Sequence, residues 1–237
     1  ITYLDDPPRA AEWFRLLGVE DVERAHADLV RIASSGMTLD LVCVICEQLA
    51  ACLPHVSDPE MALNIALNAK VQRPGVCNAM ETLLIHQDIA ETFVPRIATA
   101  MRAQGVELRG CDITREFAET ILPATEEDWY AEYLDLTLAV RVVGSVNEAI
   151  DHIRKYGSLH TEVIITRDYQ NSQQFLREVN SSVVMVNASS RFADGNQFGL
   201  GAEIGISTTK LHSFGPMGLE DLTTRKFIVL GDGQVRS

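Results

Sequence analysis

Positive charge is scarce in this sequence. Only 20 lysine and arginine residues stand against 33 aspartate and glutamate residues, so the 237-residue chain has a formal net charge of -13 at pH 7. A chain this acidic repels phosphate backbones and anionic membrane surfaces, so no nucleic acid and no membrane is expected as a partner. A small-molecule substrate or a protein partner is favoured instead.

Long apolar runs and a basic leader are missing as well. No apolar stretch approaches the length of a bilayer span, and Asp5, Asp6, Pro7 and Pro8 stand where a signal peptide has its basic and apolar segments. The five cysteines are an odd number, which argues against a disulfide framework. We therefore expect a cytoplasmic protein with reduced thiols.

Three regions follow one another along the chain. Residues 1–56 show helical periodicity, with Pro7 and Gly18 at the ends of a first helix and apolar residues from Leu39 to Leu53 at spacings of three and four. Residues 57–224 alternate strand-like and helical runs. Residues 225–237 begin with "RKFIVLG", a late apolar run with no helix after it, which predicts a strand that pairs outside its own domain.

The middle region predicts an α/β layer. Strand-like runs lie at 82–86, 106–108, 137–143, 162–166 and 182–188, and helical runs separate most of them. Repeated strand, helix, strand order implies right-handed parallel crossovers. We therefore predict an α/β domain over 57–224, preceded by a short all-α segment and followed by a late strand in 225–237; that the domain is catalytic and the strand an arm for oligomerisation is what the family resemblance given below implies.

Cys77 is the candidate nucleophile. It follows a Pro-Gly turn and precedes an apolar run in "NAKVQRPGVCNAMETLLIH". Unpaired backbone N–H groups at a turn or helix start favour a thiolate, which would make the thiol reactive near neutral pH. Spacing alone also permits a small buried cysteine without chemistry, since free cysteines are among the most buried residues.

The stretch around Cys77 resembles the cysteine signature of the gamma-glutamyl phosphate reductases, also called glutamate-5-semialdehyde dehydrogenases, in the aldehyde dehydrogenase superfamily. The stretches "EVNSSVVMVNASSRFADGNQFGLGAEIGIS" and "TKLHSFGPMGLEDLTTRKFIVLGDG" resemble later signatures of that family in the same order. The resemblance runs from about residue 58 to the end. Residues 1–56 do not share it and faintly resemble the N-terminal helices of glutamine synthetase adenylyltransferases.

The resemblance implies an oxidoreductase of proline biosynthesis. Cys77 would attack the acyl phosphate of gamma-glutamyl phosphate and hold the glutamyl group as a thioester, which NADPH would reduce to glutamate-5-semialdehyde. The backbone N–H of Asn78 would point toward the developing oxyanion. Asn78 could equally be a helix-start residue without a catalytic contact. The resemblance also implies a homo-oligomer, in which the late strand crosses to a neighbouring subunit.

Two further places carry implied site residues. Glu132 falls on the glutamate that binds the nicotinamide ribose in aldehyde dehydrogenases, although Leu134, Asp135 and Leu136 replace the Phe-Gly-Pro that follows it there. It could also be a solvated acid beside a strand.

In the loop 187–195, Ser189, Ser190 and Arg191 would hold the glutamyl α-carboxylate. Arg191 is the strongest candidate because a guanidinium binds a carboxylate through two parallel bonds, but it could also be a surface arginine.

Two other motifs are weaker indications of a functional site. Cys43, Cys46, Cys52 and His55 imitate a zinc motif but lie in one apolar helical pattern interrupted by Pro54, so no metal site is expected. The glycines of "FGLGAEIG" are one residue too widely spaced for a dinucleotide fingerprint.

The 76 residues before Cys77 are too few for the strand-rich cofactor domain of the family, so we expect that domain to be absent and turnover to be impaired. The alternative is a non-catalytic interaction or assembly module that keeps the catalytic fold.

Overall fold

Periodic apolar residues fold into a mixed α/β layer in the computed structural model, which describes residues 59–237. The helices are α1 Pro59–Val71, α2 Gln87–Ala103, α3 Asp112–Glu116, α4 Val146–Tyr156 and α5 Tyr169–Glu178. The strands are β1 Thr82–His86, β2 Glu107–Gly110, β3 Leu122–Pro123, β4 Thr137–Val143, β5 Thr161–Ile164, β6 Val183–Val186, β7 Gly205–Ser207 and β8 Gly215–Met217. The helices predicted in residues 1–56 and the zinc-like cysteines lie outside the described residues.

The main sheet has four parallel strands in the order β1-β4-β2-β3. Strand β4 lies between β1 and β2, with Leu83 opposite Val140 and Leu108 opposite Leu138. Five of the seven residues of β4 are buried, as expected for a central parallel strand covered on both faces. The predicted parallel α/β layer is confirmed. The sequence pattern did not indicate that β4 lies between β1 and β2.

Two smaller sheets complete the fold. Strands β5 and β6 form a parallel pair joined through helix α5, and β7 and β8 form an antiparallel pair. Gly199 and Gly201 lie between these two sheets with φ of 75° and 74°, a conformation that favours glycine. They form an irregular turn rather than the start of a helix.

Side-chain caps fix where the helices begin. The His86 ring accepts a hydrogen bond from the Asp88 backbone N–H through Nδ1 (3.2 Å) and lies 3.0 Å from the Gly144 carbonyl through Nε2. Ser145 and Asp168 accept N–H bonds at the starts of α4 and α5. The predicted strands and helices of 82–188 therefore match the structure within about two residues at each end.

Helix α1 was not predicted. It lies at the proposed boundary near residue 57, and its Ala62 and Ala66 belong to the same buried core as strand β1 and helix α2. Alanine at these positions lets the helix approach the layer closely. Residues from Pro59 onward are therefore part of the α/β unit, and the domain boundary near residue 57 stays a prediction.

The predicted strand at 225–231 is not formed. The structure gives these residues no strand, since no described strand accepts their backbone hydrogen bonds. Phe227, Ile228, Val229 and Leu230 are 89%, 73%, 87% and 93% exposed. Pairing of this segment with a second subunit stays a prediction.

No helix within residues 59–237 combines the length and the apolar character needed to cross a membrane.

Candidate active site

Cys77 lies in a tight turn between helix α1 and strand β1. The Ala79 N–H donates to the Val76 carbonyl (3.0 Å), and the Met80 N–H donates back to Ala69 in α1 (3.0 Å). These bonds hold the turn against the helix, and the Cys77 side chain is exposed and free. The predicted turn around the thiol is confirmed, and the alternative of a buried cysteine is not what the structure shows.

Asn78 joins the Cys77 turn to the loop 187–195. Its Nδ2 donates to the Ala193 carbonyl (2.9 Å), and its own carbonyl accepts from the Ser190 hydroxyl (2.6 Å). Both side chains are buried, Asn78 at 7% and Ser190 at 8% exposure. Two segments more than a hundred residues apart in sequence are therefore locked together, and the Ser190 hydroxyl is occupied in doing so.

Asn187 shapes the start of the same loop. It adopts a φ of 55°, and its side chain exchanges two hydrogen bonds with the Thr166 backbone (2.9 and 2.8 Å). Short amide side chains tolerate this left-handed conformation better than most residues. The turn redirects the chain after β6 so that Ser189, Ser190 and Arg191 come back toward Cys77.

Arg191 stands beside the thiol. Its Nε donates to Gln72 Oε1 (2.8 Å), its backbone N–H donates to Ser189 Oγ (3.3 Å), and its charge acts on the titration of Cys77. Arg191 makes no other side-chain hydrogen bond within the described range. Its two terminal nitrogens are therefore available for an anionic group near Cys77.

The geometry does not favour a thiolate as the sequence position suggested. Desolvation raises the pKa of Cys77 above its usual value, and the nearby carboxylates of Glu203 and Glu132 raise it further. A backbone hydrogen bond to the sulfur and the Arg191 charge lower the pKa, but by less. Desolvation is the largest cause of the raised pKa, and activation of the Cys77 thiol by the turn stays a prediction.

A buried ion pair lies next to the Cys77 turn, between helix α1 and the residues that follow the turn. Lys70 Nζ lies 2.7 Å from Glu81 Oε2, and the Lys70 side chain is completely buried. Burial lowers the pKa of Lys70 and raises the pKa of Glu81, while the hydrogen bond between them opposes both shifts. Glu81 Oε1 also accepts from the Leu134 N–H (3.2 Å). The pair therefore connects α1, the residues after Cys77 and the segment that carries Glu132.

That segment is held at its other end by Asp128. One carboxylate oxygen accepts from Arg109 (2.8 Å) and Tyr133 (2.7 Å), and the other accepts from the Thr125 N–H (2.7 Å). Although desolvation opposes it, these hydrogen bonds hold the pKa of Asp128 well below its usual range. Glu132 lies on this braced segment, exposed, and its charge reaches both Cys77 and His160.

A cavity of about 280 Å³ opens next to the thiol. Its walls come from the Cys77 turn, the segment 129–134 and strands β1 and β5. The functional groups on its walls include Cys77, Asn78, Glu132, His160, Glu162 and Ser190. Of the predicted site residues, Cys77, Asn78, Glu132 and Ser190 meet at this cavity, while Ser189 and Arg191 adjoin it without lining it.

His160 and Glu162 were missed by the sequence analysis. Both lie on or beside strand β5, a short run whose polar residues gave no motif, and only their position beside the cavity marks them. No group of three or more His, Cys, Asp or Glu side chains within residues 59–237 is placed to hold a metal ion.

Glu132 is the predicted cofactor contact. Its exposed carboxylate, at the cavity and within electrostatic reach of Cys77, fits a hydrogen-bond acceptor for a ribose hydroxyl.

Two curated relatives of the chain have the same name. No protein-family model matches it. Over 180 residues it is 74% identical to a gamma-glutamyl phosphate reductase of Geobacter metallireducens, a match that covers 76% of this chain and 43% of the relative. A gamma-glutamyl phosphate reductase of Carboxydothermus hydrogenoformans is 52% identical over 224 residues, or 94% of this chain and 54% of the relative. That match is longer than residues 59–237, so it reaches into the N-terminal region, where no likeness was expected.

Solved structures agree. The crystal structure of gamma-glutamyl phosphate reductase from Thermotoga maritima matches 77% of this chain and 44% of its own, with a TM-score of 0.73 and 52% sequence identity. An acetylating aldehyde dehydrogenase from Geobacillus thermoglucosidasius, 16% identical, matches 77% of this chain and 50% of its own with a TM-score of 0.54, which shows the aldehyde-dehydrogenase-like fold alone. The chain spans about half the length of the curated relatives it matches. In sequence and in fold, the chain is therefore homologous to about half of a gamma-glutamyl phosphate reductase.

Proposed function

We propose that the chain is the thiol-bearing catalytic part of a reductase that converts gamma-glutamyl phosphate to glutamate-5-semialdehyde in proline biosynthesis. The observation that carries the proposal is the exposed Cys77 at the edge of a cavity of about 280 Å³, with Arg191 beside it. A nucleophile needs room for the acyl group and a nearby cation for the anionic substrate, and this turn has both. The reaction itself is proposed from the relatives' name.

The first step is acyl transfer to Cys77. The thiol loses its proton to solvent, the sulfur attacks the acyl carbon, a C–S bond forms, and the C–O bond to phosphate breaks so that phosphate leaves with its electron pair. The backbone N–H of Asn78 is proposed to donate to the developing oxyanion, since the side chain and carbonyl of Asn78 hold the turn rigidly. A preorganised donor avoids reorganisation during the step.

Arg191 is proposed to bind the α-carboxylate of the glutamyl group. Its terminal nitrogens are available, and Ser189 fixes its backbone. Ser189 and Ser190, also predicted as substrate contacts, act in this proposal by shaping the loop. NADPH, when bound, supplies the hydride that reduces the thioester and frees Cys77. Glu132 is proposed to accept a hydrogen bond from its ribose.

Acylation can be tested without reduction. Incubation of the chain with acetyl phosphate, followed by intact mass spectrometry and peptide mapping, should show one acetyl group on Cys77. The Cys77→Ser variant should remain unmodified, and the Cys111→Ser variant should be modified like the parent. Acylation of Cys111 in preference to Cys77 would overturn the assignment of the nucleophile.

Turnover is expected to be low. NADP⁺ reduction with glutamate-5-semialdehyde and phosphate should stay near the Cys77→Ser blank, because hydride transfer needs a rigidly held cofactor and the described residues contain no dinucleotide-binding domain. Turnover comparable to that of a full-length relative would contradict this expectation.

The second candidate is a non-catalytic assembly module. The raised pKa of Cys77 and the exposed apolar side chains at 227–230 favour it. The acetyl phosphate assay separates the two, since only the reductase proposal calls for acylation of Cys77. Under both candidates the protein is proposed to be cytoplasmic and homo-oligomeric, without a nucleic-acid or membrane partner.

The tail is proposed to join subunits. Deletion of residues 225–237 should convert an oligomer to a monomer or an aggregate in light scattering, since the segment exposes four large apolar side chains in a row. A soluble monomer both before and after the deletion would argue against this role.

A further inference from the structure

Among residues 59–237, the walls of the cavity beside Cys77 include acidic groups but no lysine or arginine. Its three carboxylates are Glu81, Glu132 and Glu162. Glu81 forms a salt bridge with Lys70, and Glu132 is exposed to solvent. Glu162 forms no salt bridge with any residue in the range 59–237. Of these three carboxylates, Glu162 is therefore the one that is neither paired with a cation nor exposed.

Glu162 is placed in the cavity by strand β5 and by a close glycine. A side-chain carbon at Gly157 would lie 3.1 Å from Glu162 Oε1 and 2.6 Å from the Ile153 carbonyl, so glycine leaves space for this carboxylate. Burial raises the pKa of Glu162 to about 8, against a smaller opposing contribution from the Ser181 hydroxyl. A cation in the cavity would stabilise the ionised form.

His160 independently indicates a missing polar ligand. It is 7% exposed, its Nδ1 lies 2.7 Å from Thr161 Oγ1, and its buried Nε2 has no hydrogen-bond partner. Burial lowers its pKa, so the ring is neutral, and with the proton on Nδ1 the Nε2 atom accepts a hydrogen bond. Asn78 Oδ1 and His152 Nε2, on residues that line the same cavity, also lack partners.

These observations specify a ligand group. A carboxylate without a counter-charge and a neutral imidazole acceptor together suit a group that is positive and donates several hydrogen bonds, which describes an ammonium. The absence of lysine and arginine from the walls leaves no competitor for the carboxylate. The aromatic side chains of Trp129, Tyr130 and Tyr156 add apolar surface to the walls.

We propose that Glu162 and His160 bind the α-ammonium group of an amino-acid substrate whose side-chain acyl group reaches Cys77. This inference rests on the proposed function for the identity of the substrate. The α-carboxylate then lies toward Arg191, at the loop that Asn78 and Ser190 tie to the thiol. One cavity thus recognises the two charged groups of the amino acid separately, which distinguishes the substrate from a simple dicarboxylic acyl phosphate.

Binding of two matched probes tests the assignment. L-glutamate and glutarate share both carboxylates, and only L-glutamate has the ammonium. Calorimetry on the full chain should show L-glutamate binding about tenfold or more tightly than glutarate, since a charge-assisted contact is worth more than one neutral hydrogen bond.

Glu162→Gln, which keeps the shape and removes the charge, should bring this ratio close to one while glutarate affinity changes by less than about threefold. Retained glutarate binding shows that the variant is folded. Glu91→Gln, at an exposed position of helix α2, should keep the wild-type ratio.

The readout is independent of the nucleophile. The Cys77→Ser variant should show the same preference for L-glutamate, so failed acylation with preserved preference would remove the proposed function and leave this subsite standing. Equal binding of the two probes, no binding of either, or an unchanged preference in Glu162→Gln would each overturn the ammonium subsite, whatever Cys77 does.

Discussion

The α/β layer and the C-terminal tail contain the same kinds of apolar residue in opposite environments. In the layer, Phe175, Leu138 and Val140 are 0%, 0% and 1% exposed. In the tail, Phe227, Leu230 and Val229 are 89%, 93% and 87% exposed. The layer residues lie on strands and helices with neighbours on both sides, whereas the tail residues have no neighbouring strand or helix in the described chain.

This difference shows that apolar character alone does not define a core. Burial of a large apolar side chain contributes about 1.5–3 kcal/mol, and only the layer obtains it within the described residues. The tail residues therefore serve no stabilising purpose in one described chain. Matched substitutions in the layer and in the tail should therefore have very different effects on stability.

The largest effect is expected in the core. Phe175→Ala should lower the free energy of unfolding by about 3–5 kcal/mol, because it leaves a cavity in a completely buried site. Phe227→Ala in the tail should change it by less than about 0.5 kcal/mol. Urea unfolding at one protein concentration measures both, and a comparable loss in the tail variant would mean that Phe227 is buried in solution.

A buried and an exposed ion pair give the next comparison. Lys70→Met should destabilise the fold by about 2–4 kcal/mol, since it leaves Glu81 without its partner in a largely buried place. Arg225→Met, which removes the tail pair with Glu220, should have almost no effect, because both side chains are more than 80% exposed.

The double variant Lys70→Met with Glu81→Leu should recover part of the loss, since it removes the unpaired carboxylate. A cost for the double variant equal to the two single costs combined would contradict a coupled pair.

A smaller effect is expected from pH. Because burial raises the pKa of Glu162 from 4.5 to about 8, the folded state keeps a proton that the unfolded chain has released. The free energy of unfolding should therefore fall as pH rises from about 4.5 to about 8, by at least roughly 1 kcal/mol from this group. Glu162→Gln should flatten that decline.

His152 should change the free energy of unfolding in the opposite direction, at lower pH. Burial lowers its pKa to about 4, so the unfolded chain binds a proton first and stability should be lost as pH falls from about 6.5 to about 4. His152→Gln should remove that loss. Unfolding curves at half-unit pH intervals measure the pH dependence due to Glu162 and that due to His152. Glu220→Gln, just before the tail, is the matched control for losing one carboxylate.

The smallest effect on stability is expected for a charge in the tail. Leu230→Lys should leave the free energy of unfolding within about 0.5 kcal/mol of the parent, because the side chain is already in water. It should nevertheless weaken the proposed subunit contact, which sedimentation velocity would show as a shift toward monomer. An unchanged oligomer would exclude the tail from the subunit interface.

The sequence predicted more of the fold than of the site. Strands β1 and β4 and helices α2 and α4 follow directly from the apolar pattern, and caps such as Ser145 set where they start. The thiol turn was also predicted. Helix α1 was missed because its alanine-rich pattern resembles neither a strong amphipathic helix nor a strand.

The site residues that were missed have no local pattern. Glu162 and His160 are ordinary polar residues of a short strand until the cavity forms beside them. Lys70 looks like a helix-ending surface lysine, and only packing buries it against Glu81. The burial of Lys70 and the cavity beside Glu162 and His160 depend on residues far away in sequence. A local sequence periodicity contains no information about such contacts.

By itself the sequence determined the alternation of strands and helices, the turn at Cys77, and the likeness to gamma-glutamyl phosphate reductases. These depend on backbone preferences and on short-range order. Only the tertiary structure decided that β4 lies between β1 and β2, that desolvation and acidic neighbours raise the pKa of Cys77, and that "RKFIVLG" stays exposed. The physical reason is that strand order, desolvation and burial depend on which distant segments come together.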